Sequence, residues 1–391
     1  MKKLLFVTYD FPFPTNTGGK NRSYHMLKHT GSNIKKYLFS FVREDFVENY
    51  KDKMNEIGVE VVGIKKRRKL SDPRNILGVL RKDSIFKTLY FSKATLLEIC
   101  SIIHRKEIDI VLFESFYTAF YISDVIRNMG VKQIFGTENI EFKVYKDYVD
   151  RISSLLKPFY AFQAEKIKKE EIGLFKKADL CITVSERDAK VIREYAKKCE
   201  IVKNGVDLDE FKFEAPKKKQ GKNLLFVGNF SYFPNVDGIN YFYNSVFKNL
   251  GDDIRLRLTI VGKKVKMLPF VDDPRINCKE YVARIQDEYD KSDLVISPLR
   301  LGGGTNFKVL EAMAKGVPVI SLPHRLEGLE IEDGKDIIVV NNDDEFMDKI
   351  KFLLNDFELR KRISKKAREL VEREYSWEKI GRKLSNIWNS L

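Results

Sequence analysis

The segment Gly302-Gly303-Gly304-Thr305-Asn306-Phe307-Lys308-Val309-Leu310-Glu311 joins residue types that together suit an anion. Consecutive glycines let a backbone approach a ligand closely and turn its amides toward negative charge. A helix read as beginning near Asn306 adds its positive end. Lys308, in the first turn, supplies a mobile full charge for a phosphate. Glu311 lies three residues further on the same helix face, so both side chains can point at one ligand, the carboxylate accepting from hydroxyls. The plainer alternative is a glycine-rich turn followed by an ordinary Lys–Glu helix pair. Spacing argues against two common nucleotide loops: GxxxxGK[ST] is absent, and Phe307 stands where GxGxxG needs its third glycine.

The elements that must position this segment are legible as short apolar runs. A first series covers residues 4–8, 37–42, 59–64, 108–113, 133–135 and 180–184, with helical patterns between them, as at Leu96 to Arg105. A second covers 224–228, 256–262, 294–299, 317–320 and 337–340, followed by helices at about 343–356 and 358–373. A last helix carries Trp377, Ile380, Leu384, Ile387 and Trp388 at helical spacing. Runs of this kind alternating with helices predict parallel strands covered on both faces. The expected organisation is a Rossmann-like domain over 1–205, a linker over 206–222, a second such domain over 223–372, and a C-terminal helix over 373–391 packing back on the first. Both sheets then turn their carboxyl ends to ligands, with a cleft between the domains as the expected site.

Composition bounds the rest. The 391 residues exceed one ordinary core, and 43% hydrophobic content with 28 Phe and 17 Tyr argues against disorder. No run approaches the roughly 18 apolar residues of a spanning helix, and residues 4–7 read as a first strand rather than a signal peptide. A cytoplasmic place is expected, extending to the inner face of the plasma membrane. Cys100, Cys181, Cys199 and Cys278 form no CxxC, and the four histidines lack zinc spacing. Of the net charge of +15, residues 1–200 hold +12, from 38 Lys and Arg against 26 Asp and Glu. This excess favours an anionic partner or a solubilising lysine surface. No compact nucleic-acid motif accompanies it, so no nucleic-acid partner is expected. The stripe Leu155, Leu156, Phe159, Phe162 and Ile167, among lysines, reads as a core-facing helix with a solvated basic side, and as an interfacial membrane face in the second place.

The stretch from Tyr281 to Gly334 resembles the donor-binding half of the retaining glycosyltransferases of family 4, whose fold is GT-B. Its carrier is GGGT-x2-K-x2-EAMA, residues 302–314. Weaker pieces extend the resemblance over nearly the whole chain: Val227-Gly228-Asn229, Lys203-Asn204-Gly205-Val206-Asp207, Ile182-Thr183-Val184-Ser185, Asn139-Ile140-Glu141 and Pro12 to Arg22. The resemblance implies that Glu311 holds the ribose and Lys308 the diphosphate, with Gly303, Gly304, Thr305 and Asn306 beside it and Val282 and Arg284 at the base. Many relatives carry a further glutamate where this chain has Gly303, and Asn306 replaces the arginine of the branch it matches. Donor-sugar contacts are therefore not carried over, and UDP and GDP both stand.

On the N-terminal side, Gly18 and Gly19 follow the first strand and suit donor phosphates or the acceptor, or form only a turn. Arg22 reaches the site or sits on the surface. Glu114 ends a strand where many relatives have histidine nearby, and serves as catalytic carboxylate or helix cap. Glu138 and Asn139 are further acceptor-side candidates. Asp207-Leu208-Asp209 resembles the DxD metal motif of the other glycosyltransferase fold, but its place in the expected linker argues against that role, and no metal or cofactor is expected. His324 reads as a surface or packing residue.

The expected function is retaining transfer of a sugar from a nucleotide-diphosphate-sugar to a glycan or lipid-linked acceptor, in cell-envelope or surface polysaccharide synthesis. Peripheral contact with an anionic membrane goes with it. A sugar-nucleotide epimerase and a non-catalytic nucleotide-sugar-binding protein on the same fold are the alternatives.

Overall fold

The computed structural model describes residues 1–43, 46–67, 83–151, 155–218, 222–251, 255–301, 306–326 and 328–391. The chain divides into two compact units, one of residues 1–203 with 380–391 and one of residues 204–379.

The first unit is built on β1 (Lys2–Thr8), β2 (Ile34–Val42), β3 (Val59–Lys66), β4 (Ile110–Glu114), β5 (Lys132–Gly136), β6 (Leu180–Thr183) and β7 (Cys199–Ile201). They lie in the order β3-β2-β1-β4-β5-β6-β7, each pair parallel. The second is built on β8 (Lys222–Val227), β9 (Leu256–Val261), β10 (Ile276–Lys279), β11 (Leu294–Ser297), β12 (Val319–Ser321) and β13 (Ile338–Val339). Their order is β10-β9-β8-β11-β12-β13, again all parallel.

Each unit is covered on both faces, which explains its continuous apolar runs. In β8, Leu224 and Phe226 join one apolar core while Leu225 joins the other, with Val295 and Val319. In each sheet the chain steps outward from a central strand, β1 or β8, and then returns to its other side at β4 or β11. That reversal marks the carboxyl ends of β1 and β4, and of β8 and β11, as ligand positions.

The expected strands are present close to their expected bounds, and β7 and β10 are additional. Both are edge strands, and Ile276-Asn277-Cys278-Lys279 alternates apolar with polar rather than forming an apolar run. The interval expected as a linker begins as part of the second unit. The Val206 amide donates to Tyr375 O at 2.8 Å, Phe211 is buried in that unit's core, and the Glu214 amide donates to Lys315 O. Asp207 Oδ1 accepts from the amides of Asp209 and Glu210 at 3.0 and 3.2 Å, so this carboxylate organises a turn.

The last helix, Trp377–Ser390, crosses the division between the units, residues 380–391 belonging to the first. Its Ser385 Oγ accepts from the Gly31 amide at 2.8 Å, and Trp388 is fully buried. A Cβ at Gly381 would stand 2.1 Å from His29 O, so only glycine permits this approach.

The reading of the stripe at 155–167 as core-facing is corrected. Leu155, Leu156, Phe159 and Phe162 are exposed, and of the five only Ile167 is buried. Helix Lys157–Lys177 instead buries Gln163, Ile167, Glu171 and Leu174. Two of these are polar and bond to backbone: Gln163 Oε1 accepts from the Ile85 amide, and Glu171 from the amides of Glu141 and Phe142. Hydrophobic periodicity therefore misjudges the buried face. Among the described residues no helix is long and apolar enough to cross a membrane.

Candidate active site

In the second unit, helix Phe307–Lys315 begins one residue after Asn306 and ends at Gly316, whose φ of 87° is left-handed. Gly303, Gly304 and Thr305 lie outside the described residues. Asn306 turns inward: its Nδ2 donates to Ser297 Oγ at 2.7 Å, tying the helix start to the end of β11. Its amide side chain thus holds the two flanks of the glycine segment together.

Lys308, in the first turn, donates from Nζ to Asn235 Oδ1 at 3.1 Å. The ammonium also lies 4.2 Å from the centroid of the Phe226 ring. Asn235 is itself fixed, its Nδ2 donating to Asn229 O at 2.9 Å across the turn that follows β8. A neutral acceptor and a ring face thus both hold the ammonium in place.

Glu311 lies one helical turn from Lys308. Its Oε2 accepts from the hydroxyl of buried Tyr289 at 2.8 Å. Burial pushes the Glu311 carboxyl up to about 7, with the Tyr289 bond and the Lys308 charge opposing. The expected pair is thus supported by Asn235 and Tyr289, which come from other segments. The base-side candidates follow β10: Val282 packs half-buried against the core and Arg284 is exposed beside Asp287 at 3.8 Å. His324 is exposed in a short turn, Pro323–Arg325.

In the first unit, Gly18 and Gly19 open helix Gly18–His29, directly beyond the loop that follows β1. A Cβ at Gly19 would stand 2.8 Å from the Tyr9 hydroxyl and 3.0 Å from Glu138 Oε1. Glycine here lets a phenol and a carboxyl close on the helix start. A carboxyl neighbour suits a sugar hydroxyl better than a phosphate.

Arg22 is fully buried rather than at the surface. Its Nε donates to Glu114 Oε1 at 2.8 Å and its Nη1 to Val202 O at 3.0 Å. Glu114 is 1% exposed and serves this ion pair rather than capping the helix Phe116–Ala119. Its Oε2 is buried without a hydrogen-bond partner among the described residues.

Glu138, half-buried, has its carboxyl pushed up to about 7 by burial, with Arg22 lowering it and Glu114 raising it. Glu141 follows suit, raised to about 7 by burial and then by Glu138. Asn139 is half-buried, and its carbonyl accepts from the Thr137 hydroxyl. The structure therefore brings Gly19, Glu138 and Tyr9 together, and places Arg22 and Glu114 within electrostatic reach of Glu138. Tyr9 was missed in the sequence, where only its place directly after a central strand could have signalled it.

Residues 221–356 match the family described as Glycosyl transferases group 1. A Klebsiella pneumoniae protein described as an uncharacterized 44.6 kDa protein in cps region is 23% identical, the match covering 97% of this chain and 98% of that one. The crystal structure of Anabaena HepE with UDP and glucose superposes with a TM-score of 0.72 at 13% identity, covering all of both chains. That of WaaG, a glycosyltransferase involved in lipopolysaccharide biosynthesis, gives 0.67 at 14%, covering 99% of this chain and 100% of that one. The chain has the GT-B fold, and within it residues 221–356 are similar to the group 1 glycosyl transferases.

Proposed function

We propose that the chain moves a hexose from a nucleotide-diphosphate-sugar, UDP- or GDP-linked, onto a glycan or lipid-linked acceptor, with retention of anomeric configuration and without a metal. The observation that carries this reading is the pairing of Lys308 with Glu311 on one helical turn, each supported by a residue from another segment. Lys308 meets the diphosphate as negative charge grows on the leaving group, a preorganised electrostatic role. Glu311 accepts from the ribose hydroxyls, and Tyr289 fixes its rotamer.

The glycine segment supplies amides to the same diphosphate, and the loop at Val282 and Arg284 takes the base. On the acceptor side, half-buried Glu138 is better placed than ion-paired Glu114 to take a hydroxyl proton, its pKa lying near neutrality. Glu114 and Arg22 position that region. A role in surface polysaccharide synthesis draws on the relative in a cps region and on WaaG. Peripheral contact with an anionic membrane draws on exposed Leu155, Leu156, Phe159 and Phe162 beside Lys157 and Lys166.

The test is a thermal-shift series with UDP, GDP and their sugar conjugates. One nucleotide class raises the melting temperature of the native chain. Lys308→Ala and Glu311→Ala each cut that affinity at least tenfold, about 1.4 kcal/mol. Undiminished stabilisation of both variants overturns the assignment.

A further inference from the structure

Three cations in the first unit surround one carboxylate. Asp10 follows β1 and is 8% exposed; Lys20 lies in the first turn of helix Gly18–His29; Arg43 and Arg67 directly follow β2 and β3. Lys20 Nζ is 3.8 Å from Asp10 Oδ1, and the Nη2 atoms of Arg43 and Arg67 are 3.4 and 3.2 Å from Oδ2. One carboxylate cannot balance three cations, and the group keeps a charge of about +2. None of these contacts closes to a hydrogen bond. Nε and Nη2 of Arg67 are buried donors without a hydrogen-bond partner among the described residues, in a side chain 15% exposed. Buried donors of this kind are costly unless something accepts from them.

Tyr9 separates this group from the acidic side of the site. The Arg67 guanidinium carbon lies 5.1 Å from the centroid of its ring, while its hydroxyl lies against Gly19, which the Glu138 carboxyl also approaches. Glu138 and the Asp10-centred cations thus both adjoin Tyr9, at the carboxyl ends of neighbouring strands.

We infer that Lys20, Arg43 and Arg67 form a subsite for an anionic group, a phosphate or carboxylate, carried by the acceptor. This rests on the glycosyl-transfer reading and specifies its acceptor class. The reacting hydroxyl lies toward Glu138 while the anionic group accepts from Arg67 Nε and Nη2. The other source of the same chemistry is the donor diphosphate, which the proposed function assigns to Lys308 in the second unit.

The experiment uses the full chain, first saturated with whichever of UDP or GDP stabilises it, and then titrated with glucose 6-phosphate or with glucose. The sugar phosphate is expected to bind saturably, and glucose at least tenfold more weakly. Arg67→Gln lowers sugar-phosphate affinity at least tenfold while leaving nucleotide affinity unchanged. If Arg67→Gln does not fold, Arg43→Gln, at an exposed guanidinium, decides by a severalfold loss.

A sugar-phosphate response that disappears once the nucleotide is saturating overturns the proposal in favour of the donor diphosphate. Equal affinity for glucose and its phosphate, or unchanged affinity in the variants, overturns it outright. Absence of any nucleotide response defeats the transfer reading instead, while the sugar-phosphate titration still reports on the basic subsite.

Discussion

Arg22 and Glu114 form an ion pair with almost no exposed surface, the guanidinium also reaching the Val202 carbonyl. Removing one member of such a pair leaves the other charge buried, at a cost of about 3–5 kcal/mol. Arg22→Ala is therefore expected to lose that much stability in urea titration, whereas Arg22→Met combined with Glu114→Gln loses far less. Equal losses in the single and double variants would contradict the pair's structural role. The sequence marks both residues as site candidates but not their partnership, because 92 positions separate them. Lys308 and Glu311 were legible together because three-residue spacing on a helix is a local fact. Asn235 and Tyr289, which support them, come from distant segments, as do Asp10, Arg43 and Arg67, whose meeting depends on strand order.

At the scale of elements, the strands were readable because burial on both faces writes an unbroken apolar run. Helix Lys157–Lys177 was misjudged because its buried face includes Gln163 and Glu171. Glu171 is fully buried and caps the start of helix Glu141–Arg151 by accepting from two amides. Burial pushes its carboxyl up to about 8, the two amides pulling the other way. Because the folded pKa lies above the unfolded one, the folded state holds this proton more tightly. The associated stability is complete below about 4.5 and is lost as pH rises through about 8. Urea midpoints are expected to fall between pH 5.5 and 8.5, and the fall should be shallower in Glu171→Gln. An identical pH slope in the variant would remove Glu171 as its source.

For the whole molecule, two series of strands announced two units, and both sheets follow the order implied by parallel strands joined through helices. The unit boundaries did not follow composition: the polar interval after Asn204 contributes Val206 and Phe211 to a core. At the other end, residues 380–391 are counted in the first unit, where Gly381 lies against His29. A methyl group at Gly381 has no room beside that carbonyl. Gly381→Ala is expected to lower the melting temperature by several degrees, consistent with the usual cost of overpacking, about 1–3 kcal/mol. An unchanged melting temperature would show that the helix can slide away without loss.

Because the first unit closes on a segment encoded after the second, synthesis order and completion order differ. A ribosome emits β1 early, yet the face around His29, Thr30 and Gly31 lacks these partners until helix Trp377–Ser390 emerges. The contiguous second unit has all its strands by then. Nascent chains ordinarily mature from the amino end, whereas here the earlier half is completed only by residues 380–391, encoded after the whole second unit.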